Sequence, residues 1–116
     1  MTTISVRLAP IAAGNSLSDV VDLTGVTAVV GVVMPTANWV DAVVSVQGSP
    51  DGINFFDMYD GVAAKELIFN AKIASLVMLN PNRMRSCKAI IVRSGTREAP
   101  VVQPQTTMFG VVVEQA

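Results

Sequence analysis

Carboxylates are the residues of this 116-residue chain whose type and spacing come nearest to chemistry. Asp51, Asp57 and Asp60 fall close together, near enough to converge on a cation such as Ca²⁺, which takes oxygen ligands in a flexible geometry. Asp51 and Asp60 each stand directly before a glycine, however, where aspartate serves turns, and Asp57 has the position of a solvent-facing strand residue. A glycosidase pair needs two facing carboxylates with one pKa raised, and no spacing here selects one. Histidine is absent, and with it the commonest general base and the commonest metal ligand. Cys87 has Arg85 and Lys88 beside it to favour a thiolate, but no histidine to take its proton. It reads as a packed thiol, and as the only cysteine it makes no internal disulfide. The chain is read as no enzyme, with no catalytic residue, metal site or cofactor.

Arg83, Arg85, Lys88, Arg93 and Arg97 form the one basic concentration. Its functional reading is binding of phosphate or contact with an acidic protein surface. Its plain reading is a solvated loop with salt bridges to aspartates on neighbouring strands. Net charge is −1 and aromatic residues are 5%, so neither steering toward nucleic acid nor interleaved stacking for single strands is expected. Trp39 could stack on a sugar, but its place after a proline-containing turn suits a core lid or an interface anchor better.

The hydrophobic set is 51% of residues and charged residues are 15%, against about 25% in typical soluble domains. Such a chain hides apolar surface in an assembly or in a membrane. The longest apolar stretch, Val26 to Met34, includes Thr27 and Gly31 and ends at Pro35, well short of the ~20 residues of a spanning helix. Arg7 is the only positive charge near the start and no long apolar run follows it, so neither a membrane span nor a secretory leader is expected. Assembly accounts for the apolar excess, and six methionines suit adaptable packing.

The elements that would position these residues are strands. Ala42 to Gln47 reads as a strand with Val44 and Val46 on one face, Gly48-Ser49-Pro50-Asp51-Gly52 makes a tight turn, and Ile53 to Tyr59 leads out, the strongest hairpin signal in the chain. Thr3 to Leu8 alternates, with Ile4, Val6 and Leu8 on one face and Thr3, Ser5 and Arg7 on the other. It is read as an edge strand or a reaching arm within residues 1–9, ended by Pro10. Ser16 to Leu23 reads as a strand, and Thr27 to Met34 as one buried on both faces. Ala63 to Leu67 suits a single helical turn. Short strands follow at Ile68–Lys72, Ala74–Leu79, Lys88–Ser94 and Gln105–Val113, the last with Phe109, Val111 and Val113 on one face. Eight or nine short strands with Pro/Gly turns predict a single antiparallel β-sandwich over residues 1–116, jelly-roll-like.

Three stretches together carry a resemblance: Val32-Val33-Met34-Pro35 leading to Trp39, Gln47-Gly48-Ser49-Pro50-Asp51-Gly52, and Arg93-Ser94-Gly95-Thr96 followed by Ala99-Pro100-Val101-Val102-Gln103-Pro104. The set resembles a family of small β-sandwich virion proteins encoded by tailed bacteriophages. The resemblance implies a capsid decoration (cement) protein with the major capsid protein as partner, beside copies of itself. It would sit on the virion surface after assembly in the host cytoplasm. It implies no enzyme activity and no cofactor, and on the charge and run-length grounds above neither nucleic acid nor membrane is expected as a partner. Ile4, Val6 and Leu8, then Trp39, then Arg83, Arg85 and Lys88 are the candidate partner-binding residues. The alternative is a carbohydrate-binding module of a head or tail fibre, with an aromatic platform at Trp39 or Tyr59.

Overall fold

The structure is a computed structural model and describes residues 2–34, 39–61, 65–70, 75–85 and 87–115. The expected Pro35–Asn38 connection lies outside them, as do Ala63 and Ala64 of the expected helical turn, whose described part, Lys65 to Leu67, holds the strand Lys65–Glu66 and no helix. The strands are β1 (Thr3–Ile11), β2 (Val21–Asp22), β3 (Val26–Val33), β4 (Val44–Ser49), β5 (Phe56–Asp57), β6 (Tyr59–Asp60), β7 (Lys65–Glu66), β8 (Ile68–Phe69), β9 (Leu76–Met78), β10 (Ala89–Ser94) and β11 (Thr107–Gln115).

Two antiparallel sheets form a sandwich. One runs β1-β11-β3-β9, the other β2-β10-β4-β5, with β8 also paired to β4 and β6-β7 a separate ribbon. This is the jelly-roll order. The early strands pair with the late ones in reverse: β4 with β5, β3 with β9, β2 with β10, β1 with β11. The chain is thus one long ribbon rolled into two layers, and the turn at residues 50–55 is its tip. The sequence marks that tip well. Gly52 has φ +82°, and Asp51 accepts hydrogen bonds from the backbone N–H groups of Ile53 and Asn54 and from the side chains of Asn54 and Ser49. These four donors hold its carboxyl well below the usual carboxylate range.

The core lies between the sheets. Phe109, Val111 and Val113 of β11 face Val44 and Val46 of β4 and Ile90 and Val92 of β10 across it, all of them buried. In β3 the valine run does not alternate, because a bulge intervenes. Gly31 pairs with Val112 and Val29 with Val113, so one extra residue puts Val29 and Val32, three apart, on the same inner face. The strand is interior in its sheet as expected, but Val33 is exposed, so it is not covered on both faces.

Two other boundaries differ from expectation. Pro10 does not end β1, which runs to Ile11. The Pro10 carbonyl accepts from the Asp19 N–H on the side away from β11, and an antiparallel strand turns N and C=O of one residue the same way, so the missing N–H breaks no ladder bond. Ser16 to Leu23 is no continuous strand. It touches β10 through a single bridge at Leu17–Arg93 and then through β2, with the Ser18 N–H and hydroxyl both bonded to Val92.

Polar side chains close the loops from inside. Gln103 is fully buried, and its amide accepts from the Val40 N–H at 2.9 Å while donating to the Val40 carbonyl at 3.0 Å and to Ser94 Oγ at 2.9 Å. One side chain imitates a strand partner. Gly95 has φ +90°, and a Cβ there would lie 2.4 Å from the Ala99 carbonyl oxygen and 2.7 Å from the Val101 nitrogen, whereas Gly52 has open space around it. Gly52→Ala should therefore cost about 1 kcal/mol from the backbone alone, and Gly95→Ala clearly more, because fixed backbone must move. Denaturant titrations of the two variants check that order.

Candidate interaction surfaces

The two sheets turn very different outer faces to their surroundings. On the β10-β4 sheet, Ser45, Gln47, Asp57 and Arg93 point outward, and they are tied together. Arg93 is only 5% exposed. It donates from Nε to Ser45 Oγ (2.8 Å), from one terminal nitrogen to Asp57 Oδ1 (2.7 Å), and from the other to Glu66 Oε2. Glu66 also accepts from the Arg97 N–H, and the Arg97 guanidinium lies 3.5 Å from Asp57. The β6-β7 ribbon is thereby clamped over the sheet. Arg93 is thus a buried ion-pair partner rather than a docking residue, while Arg97 pairs with Asp57 from the surface with its side chain exposed. Glu66, which no sequence pattern singled out, is the third member of the cluster.

This settles the three aspartates. Asp51 caps its own turn, Asp57 faces Arg93, and Asp60 lies 3.8 Å from Arg83. Among the described residues no group of three or more Asp, Glu, Cys or His side chains is placed to hold a metal ion.

A second surface surrounds β5 and β6. Phe56 is 61% exposed and Tyr59 nearly half. Two adjoining depressions of about 300 and 330 Å³ share Met58, Tyr59 and Arg83 in their walls, and Phe56 and Cys87 line the larger. Arg85 and Lys88 are exposed in the chain on either side of Cys87. Arginine beside exposed aromatics, with a methionine floor, is the composition that protein interfaces favour.

The third surface is the outer face of the β1-β11-β3-β9 sheet, and it is apolar. Nine successive pairs join β1 to β11, from Thr3–Gln115 to Ile11–Thr107. Ala9 and Ile11 are fully buried in the core, so the odd residues of β1 face inward: Ser5 bonds Gln115, and Arg7 reaches the carbonyls of Asp22 and Thr24. Ile4, Val6 and Leu8 therefore face out and are exposed. Met108 continues the row on β11, Val33 on β3, and Leu76 and Met78 on β9, the last 70% exposed. Two glycines lie among them. A Cβ at Gly110 would stand 2.7 Å from Val6 Cγ1 and 3.4 Å from Val33 Cβ; one at Gly31 would stand 3.4 Å from Leu76 Cδ1 and 3.8 Å from Val112 Cβ. Val6 and Val33 close over the first gap, and Leu76 with the Val77 carbonyl oxygen closes over the second.

Of the residues expected to bind a partner, Ile4, Val6 and Leu8 share this face with residues that sequence reading left out. The pairing of Leu76 with Met78 on one side of their strand was the signal available for two of them. The N-terminal segment is a full strand of the sheet, hydrogen-bonded along its length, and not a detached arm. Trp39 is 7% exposed and stands edge-on to Phe109, ring centroids 5.2 Å apart. It is the core lid of the two roles considered, and it offers a partner or a sugar almost no surface. Arg83, Arg85 and Lys88 belong to the second surface.

No known family, no curated protein and no solved structure matches the chain. No helix among the described residues is long and apolar enough to cross a membrane.

The ion cluster makes the fold sensitive to acid. Burial pushes the Asp57 carboxyl up, but hydrogen bonds from Arg93 and Gln47 and the charges of Arg93 and Arg97 outweigh it and hold the pKa below the ordinary value. A depressed carboxylate contributes stability that is present above its unfolded pKa, about 3.9, and is lost as pH falls through the folded one. Asp51 and Asp22 are shifted the same way. Stability should thus hold above about pH 5 and fall below about pH 4, with a shallower fall in Asp57→Asn. Arg93→Leu, which leaves Asp57 and Glu66 facing each other, should cost about 3 kcal/mol near neutral pH. Urea midpoints measured across pH check both.

Proposed function

We propose that the chain is a structural assembly protein that binds the surface of a protein shell, in the capsid-decoration role implied by the resemblance of its three motifs. The observation that carries this reading is the placement of large apolar side chains in the open on two separate surfaces, the outer face of the β1-β11-β3-β9 sheet and the Phe56–Tyr59–Arg83 patch. A free domain has little use for either, since a solvated sheet face ordinarily carries polar residues. A cement protein needs more than one surface, because it must join neighbours.

The Phe56–Tyr59–Arg83 patch, flanked by Arg85 and Lys88, is the surface that would meet the major capsid protein. Phe56 would bury its ring, and the guanidinium would pair with an acidic site on the shell, fixing orientation more than adding affinity. Jelly rolls also serve lectins, and the exposed Phe56 and Tyr59 rings favour a glycan site as the second reading. Such a platform would stand there and not at Trp39.

Co-sedimentation with shells that lack the protein tests the proposal. Saturation at a fixed ratio to the shell subunit is expected, with Arg83→Glu combined with Phe56→Ser weakening binding about tenfold or more. Failure to pellet with shells overturns the decoration role and directs the patch to a glycan screen.

A further inference from the structure

We infer that the outer face of the β1-β11-β3-β9 sheet is a homodimer interface: a second copy of this chain packs on it, sheet against sheet. The inference goes beyond the decoration role and stands without it.

The first ground is the parity of β1. Its polar residues Ser5 and Arg7 face inward, where they must find partners, while Ile4, Val6 and Leu8 face outward. Shifting a strand by one residue exchanges its two faces, so the register with β11 actively presents the apolar one. In a solitary domain that choice is unfavourable twice over.

The second ground is extent. Seven large apolar side chains across all four strands are between 38% and 70% exposed. Together they offer roughly 600 Å² of apolar surface a side, near the ~800 Å² per partner of a standard stable interface. Scattered exposed apolar residues are ordinary, but a contiguous patch of this size marks an interface.

The third ground is shape and charge, which select the occupant. Val6 and Leu76 reach over Gly110 and Gly31, so neither glycine leaves an open notch in the face. A twisted apolar sheet face is well covered by another sheet of the same twist, stacked about 10 Å away and rotated by about 30°. The one charged side chain at an outward position of these described strands is Glu114, beside Ile4 at a corner. The centre therefore gives a different protein no charge pattern to match, while a twofold axis through it makes the face complementary to itself and separates the two Glu114 side chains. Pairing of two β1 edges is the competing geometry, since the backbone groups of Ile4, Val6 and Leu8 point away from β11.

Analytical ultracentrifugation of the purified chain through the micromolar range tests the inference, with Met78→Glu and Leu8→Asp as variants. Both positions are exposed, and circular dichroism confirms that each variant keeps its strands. A dimer is expected for the unaltered chain, with either charge raising the dissociation constant about a hundredfold or more, because it would be buried without a partner. Met78 lies on β9, across the sheet from the β1 edge. A dimer lost with Leu8→Asp but kept by Met78→Glu would mean edge pairing and overturn face packing, as would a chain that stays monomeric throughout. Shell binding by a monomer would leave the decoration role standing while this inference fell; a dimer that ignores shells would do the reverse.

Discussion

The register between β1 and β11 is the constraint on which the rest of this structure depends. Nine successive pairs give the strands no freedom to slip, and Ala9, Ile11, Phe109, Val111 and Val113 all enter the core from that one alignment. Side chains alternate along a strand, so filling the core from the odd positions commits the even positions to the outside. The apolar outer face is the other half of the decision that builds the core. A slip by one residue would bury Ile4, Val6 and Leu8, but it would expel Ala9 and Ile11 and leave Ser5 and Arg7 in solvent.

The same ribbon that begins at this pair ends at the turn before β5, and the ladder between them explains how a small chain makes two layers with few charges. Backbone groups are satisfied along four strand pairs in succession. Where the ladder stops, buried side chains take over. Gln103 stands in as a strand partner for Val40, Ser18 serves Val92, and Ser45 links Arg93 to the Gly95 carbonyl. Each is a polar group inside the protein, and each has the partners that make its burial tolerable.

The two sheets divide the chemistry of the surface. Over one, the β6-β7 ribbon brings Glu66 onto the buried Arg93, which also pairs with Asp57, and the exposed Arg97 joins them at the rim. Such a cluster orders the fold by tying the ribbon to the sheet. Over the other sheet the described strands are bare and apolar, and the free energy of covering them lies outside the single chain. The Phe56–Tyr59–Arg83 patch is intermediate in character, with rings, a sulfur-lined floor and a cation. The molecule thus presents three different surfaces: a face of paired charges, a mixed patch and an apolar sheet.

Much of the architecture was legible in the sequence. Period-two alternation located the strand of Phe109, Val111 and Val113, and the Pro50-Asp51-Gly52 signal located the ribbon tip, because both depend on local stereochemistry and nearby side chains. Excess apolar content reads as surface to be hidden by assembly, and the structure leaves one sheet face apolar and exposed. The sequence also grouped Ile4, Val6 and Leu8 on one face, but it could not say which way that face pointed. Alternation is symmetric between inside and outside, and only the long-range pairing with β11, across a hundred residues of chain, breaks the symmetry. The joining of Arg93 to Asp57 and Glu66, and the gathering of Val33, Leu76, Met78 and Met108 beside β1, are decided at the same level. They join residues far apart in the chain, and no local propensity records which strands will lie side by side.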